Sequence, residues 1–167
     1  MTNTPKLLLI AAIVGTCIIG TALYVKHAAT LKARQSMIHN AGANVMPFDL
    51  NQTMHVFKKT DDGGIQQVIV KDPSNNEQQI GLIQMHLQME AGLFQQGNFQ
   101  DPAKLHGQTM PGLDDLKNGV ADVRITYSSL INGGQITYST SNQKLIQAIH
   151  KWFDAQLSDH GNDAKSM

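Results

Sequence analysis

The sequence predicts an α+β domain of two ββα repeats, a four-stranded antiparallel sheet with two helices on one face, preceded by an N-terminal transmembrane helix. Three observations carry this expectation. An almost unbroken apolar run opens the chain. A double-glycine turn signal occurs twice, as Asp61-Asp62-Gly63-Gly64 and as Asn132-Gly133-Gly134. Each turn sits in a stretch of strand-like alternation, and each such stretch leads into an apolar stripe of helical period.

The apolar run is Leu7 to Val25, which as a helix reaches roughly 28 Å, about one hydrocarbon core. Lys6 precedes it and Lys26, Lys32 and Arg34 follow. It is longer than a usual signal-peptide core and lacks a small-x-small cleavage site, which favours an uncleaved signal anchor over residues 1–26. The expected location is therefore a single pass through the inner membrane by residues 7–25, with the folded domain on the extracytoplasmic side. The basic residues after the run oppose that orientation under the positive-inside rule. Cys17, the one cysteine, lies in the run, so the domain has no disulfide framework and no thiolate site. Residues 27–43 read as a polar juxtamembrane linker in which His27 and His39 are solvated.

The domain is expected over 44–161, with repeats at about 51–97 and 120–158, a joining loop at 98–119 and a disordered tail at 162–167. Thr53 to Lys59 and Ile65 to Val70 form the first hairpin, with Val68 and Val70 on one face. A helix follows from about Glu77 to Gln96, its stripe Ile80, Ile83, Leu87 and Phe94. The loop is rich in Gly, Pro and Asp, with a short helical piece near Leu113 to Lys117. Val123 to Ser128 and Gln135 to Thr140 form the second hairpin. Its helix, Gln143 to Leu157, carries Leu145, Ile149, Trp152, Phe153 and Gln156 on its inner half. The halves answer one another in detail. His86 corresponds to His150, and each is followed at i+4 by a carboxylate, Glu90 and Asp154, on the same helical face.

Five histidines fall in the domain: His55, His86, His106, His150 and His160. Imidazole is the commonest protein metal ligand, and a carboxylate often orients it. The two equivalent helices could each present a histidine over the loop and close a site with His106. The candidate metal residues are His86, His106, His150 and His160, then His55, Met110 and Glu90; thioether with imidazole suits copper, and histidine with carboxylate suits zinc. A bland reading stands beside it. A helical His–carboxylate pair is often a surface pair of a few tenths of a kcal/mol, His160 near a helix C-terminus is favourable in its own right, and no tight spacing such as HxxEH occurs. The joining loop is equally readable as a structured crossover.

Other chemistry is excluded or unmarked. The formal net charge is zero, which argues against nucleic acid, whose phosphates demand a surplus of Lys and Arg. There is no GxSxG, P-loop or dinucleotide fingerprint. No catalytic residue is assigned, although acid–base work by His106 with Glu90 or Asp101 fits the residue types.

The segments DPAKLHGQTMPGLDDL (101–116) and LIQAIHKWFDAQLSDHG (145–161), with MPFDL (46–50) and HVF (55–57), resemble a family of small bacterial proteins of unassigned function, some labelled aspartate carbamoyltransferase. The resemblance covers most of the chain after residue 44. It implies an intact domain and draws attention to the HGxxMPG and DHG segments. It does not carry the enzymatic label. True carbamoyltransferases are two-domain enzymes of about twice this length with an STRT phosphate loop, and Ser139-Thr140-Ser141 lacks the arginine.

The leading functional expectation is a membrane-anchored extracytoplasmic domain with a histidine-based copper or zinc site. The alternative is a non-catalytic envelope module that docks another protein. The first requires the histidines to converge; the second requires them dispersed beside an exposed apolar patch.

Overall fold

A computed structural model describes the backbone of residues 4–74 and 76–167, and side chains from residue 21 onward apart from residue 75. The chain divides into two compact units, 1–34 and 35–167. Helix α1 spans Thr4–Gly42. Among the described residues, no helix is long and apolar enough to cross a membrane. This corrects the expected inner-membrane location. The described part of α1 turns polar at Lys26, with Lys32 and Arg34 beyond it, so it offers no apolar span. The remainder of the expected anchor, residues 7–20, lies outside the described side chains. The linker expected at 27–43 is helical, and Ile38 on its last turns is buried.

The second unit is α+β. Strands β1 (Thr53–Thr60) and β2 (Gly63–Val70) form the first hairpin, and β3 (Arg124–Leu130) and β4 (Gly133–Ser139) the second. Both pairs are antiparallel. The hairpins join through β2 and β4, which run antiparallel with Gly63 opposite Ser139 and Ile69 opposite Gly133. This reciprocal register makes Gly63 and Gly133 equivalent. A Cβ on Gly63 would strike the Tyr138 carbonyl, and one on Gly133 the Val68 carbonyl. The double-glycine signals thus serve close strand approach as well as turning.

The sheet is not the expected four-stranded antiparallel one. It has five strands in the order β3-β4-β2-β1-β5 and is mixed. The fifth strand, β5 (Ala164–Ser166), lies parallel to β1, pairing His55 with Ala164 and Phe57 with Ser166. The tail expected to be disordered is therefore ordered, because the outer edge of β1 offers unpaired backbone groups that these residues satisfy. A 3-10 turn at Gly161–Asp163 carries the chain to it.

Helices α2 (Glu77–Gln95) and α5 (Gln143–His160) pack on the sheet, and the Asn142 side chain caps α5 by accepting from the Lys144 amide. The crossover is more structured than a loop: it contains α3 (Gln100–His106), α4 (Leu113–Gly119) and a 3-10 turn at Val120–Asp122. Its Leu113 and Leu116 are fully buried. The largest side chains of the core between sheet and helices are aromatic. Phe94 and Phe99 stack with centroids 4.7 Å apart, Trp152 meets both edge-on, and Phe153 packs on Phe57 at 5.1 Å. Burial of such large rings supplies much of the drive to fold.

Candidate functional site

The apolar stripe of α5 runs Leu145, Ile149, Trp152, Phe153 and then turns polar without leaving the interior: Gln156, Asp159 and His160 are all buried. At this end of the core, strand β1 contributes His55 on the same face as Phe57. Strand β2 contributes Gln66, two residues before the inward Val68. Helix α2 contributes His86 and Glu90, and α3 ends on His106. Every one of these polar side chains is buried. All of them except Asp159, which lies behind His106, line one cavity of about 40 Å³, roomy enough for roughly three water-sized groups. Its apolar walls include Phe48, Val68, Leu87, Phe94 and Leu105.

Four of the five candidate histidines line this cavity, and three of them meet ring to ring. The His55 and His160 rings stack at 4.5 Å, tilted by 14°. His106 meets His160 edge-on at 4.8 Å. His106 Nδ1 donates to Asp159 Oδ2 at 2.9 Å, a pair whose side chains are only 1% and 9% exposed. In the neutral ring this hydrogen bond places the lone pair on Nε2. His86 lies against the Phe48 edge at 5.7 Å.

The electrostatics follow from burial. Burial, then the charge of His106, pushes His55 down to about 4. Burial, then His55 and His106, takes His160 well below its usual range, and burial lowers His86. Glu90 moves the other way. Burial and the neighbouring Asp101 raise its carboxyl to about 8, so it holds a proton at neutral pH. Asp101 is lowered, first by its hydrogen bond from Lys104 and also by Glu90. Two adjacent carboxyls are thus driven apart, one protonated and one ionised, a pattern common to acid–base sites.

Four buried side-chain atoms at this cavity have no protein partner: His55 Nδ1, Glu90 Oε1, Gln156 Nε2 and His160 Nε2. Trp152 Nε1 shares that condition elsewhere in the core. Gln66 is satisfied, since Tyr138 Oη donates to its Oε1 at 2.8 Å.

The expected copper or zinc centre is corrected. Among the described residues, no group of three or more His, Cys, Asp or Glu side chains is disposed to hold a metal ion. The physical reason lies in the ring planes. Nearly parallel, stacked imidazoles direct their lone pairs along separate planes, whereas a metal needs them to converge at about 2 Å. His150 is outside the cluster. Its Nε2 donates to the carbonyls of Thr60 at 3.0 Å and Gly63 at 2.9 Å, tying α5 to the first hairpin turn. Met110 is core filler, and Glu90 retains its proton. His39, expected to be solvated, pairs with Asp163 at 2.6 Å.

Asp159, Gln66 and Gln156 complete the site but were not among the expected site residues, and Asp101 enters the expectation only as an acid–base partner of His106. Gln66 had a readable signal, a polar residue at an inward position of an alternating strand. Asp159 and His160 continue the α5 stripe at i+3 and i+4 from Gln156. Comparison with family models, with curated proteins and with solved structures finds no match to this chain.

Proposed function

We propose that residues 35–167 form a binding domain for a small polar molecule held in the cavity between β1, α2, α3 and α5. One observation carries this reading: four buried polar atoms without protein partners line the same cavity. Each such atom costs about 1–3 kcal/mol when left unmet, so four together rival the stability of a whole domain. A polar occupant offsets that cost. The segments 101–116 and 145–161, which carry the resemblance to the small bacterial family, supply His106, Asp159 and His160, and this supports reading them as a site. The convergence of His55, His106 and His160 favours a ligand pocket over a docking module with dispersed histidines. Docking of a protein partner is the second reading, favoured by exposed Met85 and Met89 one turn apart on α2.

A panel of neutral and charged molecules of up to four non-hydrogen atoms, screened by thermal stabilisation of the full chain, tests the first reading. At least one compound raises the midpoint of the wild type and of His150→Ala, which lies outside the cavity, but not of His160→Phe. A panel that leaves all three unmoved, or moves them equally, overturns it.

A further inference from the structure

We propose that the ligand is a short-chain monocarboxylate, seated beside the stacked pair of His55 and His160 and taken up together with one proton. This rests on the pocket reading above. The first argument is charge placement. Of the three clustered imidazoles, His106 already has a carboxylate at 2.9 Å, that of Asp159. His55 and His160 have none in hydrogen-bonding contact among the described residues, and each retains one ring nitrogen without a partner.

The groups around the pair explain why an anion is the ligand that gains most there. His55 faces His160, His106 and the charge of Asp163, with His86 beyond, and the Asp163 backbone carbonyl accepts from its ring. His160 faces His55, His106 and, from the end of α1, His39. Burial and the neighbouring imidazoles hold this pair neutral against the opposing charge of Asp163 on His55. An anion placed beside it reverses the balance, because one ring can then protonate and form a charge-assisted hydrogen bond. A neutral ligand brings hydrogen bonds but leaves that gain unrealised. On the other side, Glu90 holds its proton and Asp101 is engaged by Lys104, so the far carboxyls present little free negative charge to the cavity.

The second argument is size and surface. A cavity of about 40 Å³ accepts roughly three water-sized groups, the bulk of formate or acetate. Phe48, Val68 and Leu87 form an apolar wall suited to a methyl group. A ligand this small binds no tighter than roughly tens of micromolar.

The test is calorimetric titration of the full chain with acetate and with its neutral isostere acetamide, at pH 8, 7 and 6, in two buffers of different ionisation enthalpy. Acetate affinity should rise by up to tenfold for each unit of falling pH, with close to one proton taken up, and acetamide should bind at least tenfold more weakly at pH 6. His55→Asn and His160→Asn should each lose the pH dependence, and His150→Ala should keep it. Equal, pH-independent binding of acetate and acetamide overturns the monocarboxylate assignment and leaves the pocket reading standing. Binding of neither at millimolar concentration overturns the assignment, and failure of the wider panel with it overturns both.

Discussion

The two ββα halves carry the same His-x-x-x-carboxylate pair on their helices, yet the structure uses the pairs in opposite ways. In the first half, His86 and Glu90 point into the cavity and are buried. In the second, His150 is spent on two backbone carbonyls, and Asp154 sits at the surface paired with Lys59. The second half reaches the cavity only by extending its helix, so that Gln156 and His160 line it and Asp159 holds His106. Spacing decides which residues share a helical face. What that face meets decides their role: His86 and Glu90 meet the cavity, whereas His150 meets the first hairpin turn.

Removal of the carboxylate that the extension delivers should have the largest effect. Asp159→Ala removes the carboxylate from the buried His106 Nδ1 and should cost about 3–5 kcal/mol, read from denaturant midpoints. A loss below 1 kcal/mol would show that the extended turn is not integral to the core.

The next effect is on pH dependence and isolates the first half. Folded Glu90 keeps its proton up to about 8, while the unfolded chain releases it near 4.5. Stability therefore falls as pH rises through that window, by at most about 1.4 kcal/mol per pH unit. Glu90→Gln should gain on the wild type as pH moves from 5 to 8, by a few kcal/mol at the upper end. His55 acts in the opposite sense. Its unfolded ring takes a proton near 6.5 and its folded ring only near 4, so stability falls as pH drops through that window. His55→Phe should flatten this acid limb, and an unchanged limb would mean that His55 is not held neutral.

These effects bear on how much was legible in advance. Both hairpins, both long helices and their pairing of repeats are written in alternation, glycine turns and apolar stripes, all of them local signals. The fifth strand was not. Ala164–Ser166 has no strand pattern of its own and is ordered by the open edge of β1, a tertiary cause. The site was half legible. His55, His86, His106, His160 and Glu90 stood out by residue type, but their chemistry depends on ring orientation and burial, which composition does not report. His150 shows the limit most clearly, since an identical local pattern led to a structural tie.

Smaller effects sharpen the contrast from the second half. His150→Ala removes a donor shared by two carbonyls at the first hairpin turn and should cost about 1 kcal/mol, with ligand binding unchanged. Asp154→Ala breaks only an exposed pair with Lys59 and should fall within about 0.5 kcal/mol of the wild type. A loss as large as that of Asp159→Ala would erase the distinction between the halves.

The most direct test of the cavity as a site is imidazole nitrogen NMR of the full chain, followed from pH 8 to pH 5 with and without the best compound of the panel. The account predicts that His55 and His160 remain neutral throughout in the free protein, and that their ring nitrogens shift on ligand addition while those of His150 do not. If His55 and His160 instead titrate near 6.5, and no cavity histidine responds to any compound, the polar-ligand pocket is contradicted.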